Sequence, residues 1–121
     1  MRVVIEGKGF LQGGTLLDAN EAPKCYKFSN VPYALPPTGK RRWKRPEPLP
    51  LNFSHGSEQS PGRYDIKTSS ICPQFPVNTA PFPDCDEDCL QVNIWVPLGE
   101  PPERGWPVFF YIRKGFTHLL K

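Results

Sequence analysis

Proline constrains this chain more than any other feature. Sixteen of its 121 residues are proline, where a typical protein has about 5%. Each one lacks a backbone donor and has a fixed φ, so it interrupts helices and is confined to the ends and edges of strands. Prolines 32, 36, 37, 46, 48 and 50 crowd into one stretch, which is thereby forced into an extended course. A helical bundle is implausible on this count, and long irregular connections laid over a sheet scaffold are expected. Aromatic residues make up 12% of the chain, which argues against a fully disordered polymer.

Between the prolines, hydrophobic periodicity predicts strands. Residues 3–17 are short apolar groups punctuated by glycines 7, 9, 13 and 14, the pattern of a hairpin or meander. No Gly-Lys-Ser/Thr follows these glycines, so they read as turn residues and not as a phosphate cradle. Tyr26–Val31 and Leu90–Val96 alternate apolar and polar side chains, as half-buried strands do. Residues 54–70 are polar and read as a surface loop. Trp106–Ile112 is continuously apolar, which predicts a strand buried between two layers, as in an α/β sheet. With nothing after it to cover that strand, the chain is expected to expose an apolar patch and self-associate. No segment carries a helical stripe.

Charge excludes some partners. The net charge of +3 is too mild to imply nucleic acid. The run Lys40-Arg41-Arg42-Trp43-Lys44-Arg45 has no second basic and aromatic segment to extend it, and it reads as solvated. The 106–112 run is far shorter than the ~20 residues of a membrane span. The apolar stretch that opens the chain ends at Glu6-Gly7-Lys8, short of the roughly 7–15 residues of a signal peptide core. Cysteines 25, 72, 85 and 89 are even in number, which hints at disulfides in an oxidising compartment. A zinc site on Cys72, Cys85 and Cys89 lacks the C-x₂-C knuckle, and no cofactor is expected. Asn52-Phe53-Ser54 is a glycosylation sequon with meaning only in a secreted protein; such tripeptides are common by chance, and the chance reading is the one favoured on sequence.

Three stretches resemble the carboxylesterase type B, cholinesterase-like family. Phe28-Ser29-Asn30-Val31-Pro32-Tyr33-Ala34-Leu35-Pro36-Pro37-Thr38-Gly39, with Arg42-Trp43 and Pro46-Glu47-Pro48 after it, is similar to the family's F-x-G-I-P-Y-A-x-P-P-x-G-x-x-R-[FW]-x-x-P-x-P. Cys72-Pro73-Gln74 matches its C-P-Q. Glu87-Asp88-Cys89-Leu90-Gln91-Val92-Asn93-Ile94-Trp95-Val96-Pro97 looks like E-D-C-L-[YF]-L-N-[IV]-x-x-P, with Gln91 in place of the aromatic. Asn30 replaces a family glycine, and asparagine also tolerates the left-handed conformation.

The resemblance implies the front of an α/β-hydrolase fold, this part mostly β: N-terminal antiparallel strands, the first strands of the large sheet and long proline-rich loops. Residues 1–112 would be the N-terminal part of a carboxylesterase domain and 113–121 a divergent tail. The family hydrolyses small-molecule carboxylic esters with a Ser-Glu/Asp-His triad whose serine sits in Gly-x-Ser-x-Gly. That pentapeptide is absent from this sequence, neither His55 nor His118 matches the family's histidine, and no residue is assigned a catalytic role. The family's His-Gly-Gly-Gly oxyanion loop would follow Ile112, but Arg113-Lys114-Gly115-Phe116 stands there, leaving Gly115 as its remnant. The expectation is an N-terminal fragment of a serine esterase, inactive alone; the alternative is a small non-catalytic interaction or decoy protein with esterase-like packing. By resemblance Cys72 pairs with Cys89, contributing about 3 kcal/mol, and Arg42 pairs with Glu87. Trp43 would anchor its segment on the fold. Family and cysteines suggest secretion.

Overall fold

The structure is a computed structural model and describes residues 1–65, 70–73 and 85–112. They form a mostly β assembly of two three-stranded sheets. One 3-10 turn at Gly39–Arg41 is the sole helical element among them.

The first sheet is built on a hairpin. Strand β1 (Arg2–Ile5) pairs antiparallel with β2 (Gly9–Gln12), so Val3 lies opposite Leu11. A short strand, β5 (Gly62–Arg63), adds to β2 in parallel. The second sheet has order β3-β4-β6: β3 (Gly14–Leu17), β4 (Pro23–Pro32) and β6 (Gln91–Val96), all antiparallel. Prolines open and close β4, the strand positions where a missing donor costs least. The turn into β4 is closed by Asp18, whose Oδ1 accepts from the backbone N–H of Asn20 (2.8 Å) and Ala22 (2.9 Å).

Residues 3–17 thus form more than one hairpin, because the chain changes sheets at Gly13. A Cβ at that position would lie 2.8 Å from the Lys27 carbonyl oxygen and 2.8 Å from two Phe28 ring carbons. Only a residue without a side chain lets β2 pass into β3 against β4. The sheets meet in a small core of Leu11, Phe28 and Val31, with Val3, Tyr64, Val92 and Val96 packed on it.

Phe28 and Val31 share this core although an odd interval separates them in sequence. In a regular strand that interval would send them to opposite faces. A β-bulge resolves the conflict: Phe28 stands opposite Ile94 and Val31 opposite Val92, so β4 spends one residue more than β6. Asn30 takes the required positive φ of 62°, as its side chain permits. Its backbone N–H donates to Asn93 Oδ1 at 3.1 Å.

Three expectations change. Trp106–Ile112 forms no strand, and Val108 and Phe109 are both 89% exposed; a two-faced apolar strand needs a layer on each side, and no described element supplies either. Trp43 anchors nothing: it is 96% exposed, on a backbone held at φ 61°. The 54–70 stretch is more than a surface loop, since it contributes β5 and the buried His55.

Candidate functional site

The described parts of the three motif-bearing stretches meet around β4 and β6 of the second sheet. Register pairs Val31 with Val92 and Pro32 with Gln91, and past the strand end Tyr33 N–H still donates to the Leu90 carbonyl at 3.2 Å. The proline-rich segment then leaves β4, makes an isolated bridge between Ala34 and Pro48, and turns at Gly39–Arg41. That turn brings Arg42 alongside Glu87.

Their contact is bidentate. Arg42 Nε donates to Glu87 Oε1, and Arg42 Nη2 donates to Oε2 at 2.6 Å. A planar guanidinium forms this fork with a carboxylate and an ammonium cannot. The hydrogen bond, and secondarily the opposite charge, holds the Glu87 carboxyl below and the Arg42 guanidinium above its ordinary range. The side chains remain 50% and 34% exposed. The pair therefore orients the segment rather than dominating stability, because solvent screens exposed charges.

Two residues beyond Glu87, Cys89 forms a disulfide with Cys72. The bridge ties residues 70–73 to the start of β6, next to a parallel bridge between Ile71 and Cys85 and a bond from Asp86 N–H to the Ile71 carbonyl (3.0 Å). Oxidised to each other, Cys72 and Cys89 have no thiolate to offer a metal. Cys25 and Cys85 carry no disulfide. Together Arg42–Glu87, Cys72–Cys89 and Asn30–Asn93 make a cross-linked joint. It consists of structural side chains, with no acyl-transfer group among them.

A second cluster has no counterpart in the sequence-based expectations. His55 is 8% exposed, and its Nδ1 lies 2.6 Å from the Tyr64 hydroxyl. Phe53 and Tyr64 both meet its ring edge-on, with centroids 5.0 and 5.4 Å away. The backbone N–H of His55 donates to the Lys8 carbonyl at 2.7 Å, clipping the loop to the turn of the first hairpin. Tyr64 links the sheets: its N–H donates to the Gln12 carbonyl (2.8 Å) and its own carbonyl accepts from Ser29 N–H (2.7 Å). Burial, and after it the charge of Lys8, holds the His55 imidazole below its usual range, while burial pushes the Tyr64 phenol up. Both are neutral near pH 7. With Nδ1 on the Tyr64 hydroxyl and its ring between Phe53 and Tyr64, His55 forms a structural clasp. The only sequence signal for it was the Phe-x-His spacing in a polar loop, which is too short to register as a pattern.

Gly115, the expected oxyanion-loop remnant, lies outside the described residues, as do His118 and the whole 113–121 tail. The run before it, 106–112, is exposed to solvent.

Comparison with known proteins agrees with the motifs. The model of the carboxylesterase family matches residues 2–119. A carboxylic ester hydrolase of Gibberella moniliformis is 45% identical over 107 residues, covering 88% of this chain and 19% of that protein. An uncharacterized esterase/lipase of Schizosaccharomyces pombe is 42% identical over 121 residues, covering 95% of this chain and 21% of its own length. The acetylcholinesterase of Danio rerio is 37% identical over 94 residues, covering 74% and 15%. The chain thus spans about a fifth of the ester hydrolase and of the esterase/lipase it matches. With the family model matching almost from end to end and the three motifs meeting in one joint, the chain belongs to the carboxylesterase family.

Proposed function

We propose that this chain provides the N-terminal part of a serine-dependent carboxylic ester hydrolase with an α/β-hydrolase fold, and that the 121 residues alone do not hydrolyse esters. The observation that carries this reading is likeness to ester hydrolases along nearly the whole chain, of which it covers only about a fifth. Residues 1–112 are the domain part and 113–121 a divergent tail. The substrates of the complete enzyme are small-molecule carboxylic esters.

Chemistry supports the inactivity. Acyl transfer needs an activated nucleophile, a base and preorganised donors for the developing oxyanion. The sequence contains no Gly-x-Ser-x-Gly, and His55 is committed to Tyr64. Gly115 keeps one position of the oxyanion loop, but Arg113 and Lys114 place side chains where the family has His and Gly. What the chain contributes is architecture: the Cys72–Cys89 and Arg42–Glu87 cross-links hold the proline-rich segment against β6, and the apolar 106–112 run is offered to the large sheet.

The test is hydrolysis of a p-nitrophenyl ester by the purified 121-residue chain, beside a heat-killed control. No turnover above the control is expected. Turnover that a serine-directed phosphonate abolishes would overturn the proposal.

A further inference from the structure

We propose that Asn52 carries an N-linked oligosaccharide. Of the chain's asparagines, only Asn52 stands in an Asn-x-Ser/Thr sequon: Asn20, Asn30, Asn78 and Asn93 are followed two residues on by Ala, Pro, Ala and Trp. A sequon alone is weak. Its placement here adds two independent observations.

The first is geometry. Residues 50–53 form a turn closed by Phe53 N–H donating to the Pro50 carbonyl at 3.0 Å. Lys8 Nζ steadies that turn by donating to the Pro50 and Leu51 carbonyls, at 3.0 and 3.1 Å. From there the chain alternates: Asn52 and Ser54 are exposed, Phe53 is half-buried and His55 is buried. Phe53 packs edge-on against His55, so the middle residue of the sequon turns inward while Asn52 faces solvent; Ser54 is also exposed, its hydroxyl accepting from Gly56 N–H at 3.1 Å. An exposed acceptor amide is what the modifying enzyme must reach, and a bulky polar glycan there displaces no packing. Asn52 also lies beside Leu51, which is 96% exposed, and a glycan would cover that side chain.

The second is redox chemistry. Cys72 and Cys89 are joined by a disulfide, a bond that persists in the oxidising secretory compartments and is rare in the cytosol. Those are the compartments in which sequons are glycosylated.

The step balances as a group transfer. Asn52 Nδ2 attacks C1 of an oligosaccharide carried on a lipid pyrophosphate. The new N–C1 bond forms as the C1–O bond to the pyrophosphate breaks, an amide proton leaves, and the lipid pyrophosphate departs.

The test uses the protein isolated from its own cells. It is treated with peptide-N-glycosidase in heavy-oxygen water, and the peptide spanning residue 52 is read by mass spectrometry, with alkylation of free thiols in the same sample. Residue 52 is expected as heavy-oxygen aspartate, with Cys72 and Cys89 protected from alkylation. Secreted from eukaryotic cells, the protein should lose its glycosidase-sensitive gel shift in Asn52→Gln and Ser54→Ala and keep it in Ser54→Thr. An unmodified Asn52 in native protein with Cys72–Cys89 intact overturns the proposal. So does an unmodified Asn52 with both thiols free, which removes the compartment argument as well.

Discussion

Breaking the Cys72–Cys89 bridge should cost the fold about 3 kcal/mol. The two cysteines are 17 residues apart in sequence, and the chain-entropy relation gives about that figure for a closed loop of this size. The effect lies mainly in the unfolded chain, because other ties persist on the folded side: the Ile71–Cys85 bridge, the Asp86-to-Ile71 hydrogen bond and the Arg42–Glu87 fork. Against the roughly 5–15 kcal/mol that holds a typical domain folded, such a loss is large, and it lowers Tm by on the order of 10 °C for a chain of this length. The perturbation is Cys72→Ser with Cys89→Ser, compared with oxidised and reduced wild type in urea. Far-UV circular dichroism is the appropriate signal, since Trp43 and Trp95 are both solvent-exposed and report poorly on unfolding. Reduced wild type should coincide with the double variant. A loss below about 1 kcal/mol at an unchanged denaturant slope would refute the loop-closure reasoning.

Acid should loosen the loop that His55 clasps. Its folded pKa is depressed by burial and by Lys8, so the neutral ring's contribution is complete above the unfolded value of about 6.5 and is lost as pH falls through the lower folded value. Melts across this window should show a stability slope that His55→Gln flattens; an equal slope in both proteins would remove His55 as the cause. Gly13→Ala should destabilise by about 1–3 kcal/mol, since its methyl meets the Lys27 carbonyl and the Phe28 ring at 2.8 Å; a neutral result in chemical denaturation would mean the sheet crossover yields freely. The 106–112 run should drive association of the isolated chain. Phe109→Asp with Val108→Lys should lower hydrophobic dye binding and move the chain toward monomer in sedimentation, and unchanged behaviour would place the sticky surface elsewhere.

The joint between the motifs explains why the fold needs them near one another in space. A bulge such as that at Asn30 breaks the β-ladder and leaves a backbone N–H to satisfy. Asn93 supplies the acceptor from the neighbouring strand. An asparagine that sequence inspection treats as one polar position of an alternating strand is thus a specific partner for the irregularity opposite it. Asn93→Leu keeps the strand pattern but removes that acceptor from a half-buried N–H, a loss of about 1 kcal/mol in urea denaturation.

The sequence by itself determined the features that depend on neighbouring residues. Alternation in Tyr26–Val31 and Leu90–Val96 specified the strands β4 and β6, and the glycines of 3–17 marked turns, because propensity, period and φ restriction act within a few residues. The family resemblance, carried by short ordered motifs, named Cys72 with Cys89 and Arg42 with Glu87; neither pairing follows from periodicity, and both pairs meet in the structure. Tertiary structure alone decided what depends on distant partners. It split residues 3–17 between two sheets at Gly13, recruited Gly62–Arg63 as a parallel neighbour of β2, and put Phe28 and Val31 on one face through the bulge. It also buried His55 from a stretch whose composition is that of a surface loop, and it left Trp43 and the 106–112 run in water. Burial is a property of what packs against a residue, so an apolar run announces a demand for partners without naming them, and a lone polar residue gives no sign that partners await it.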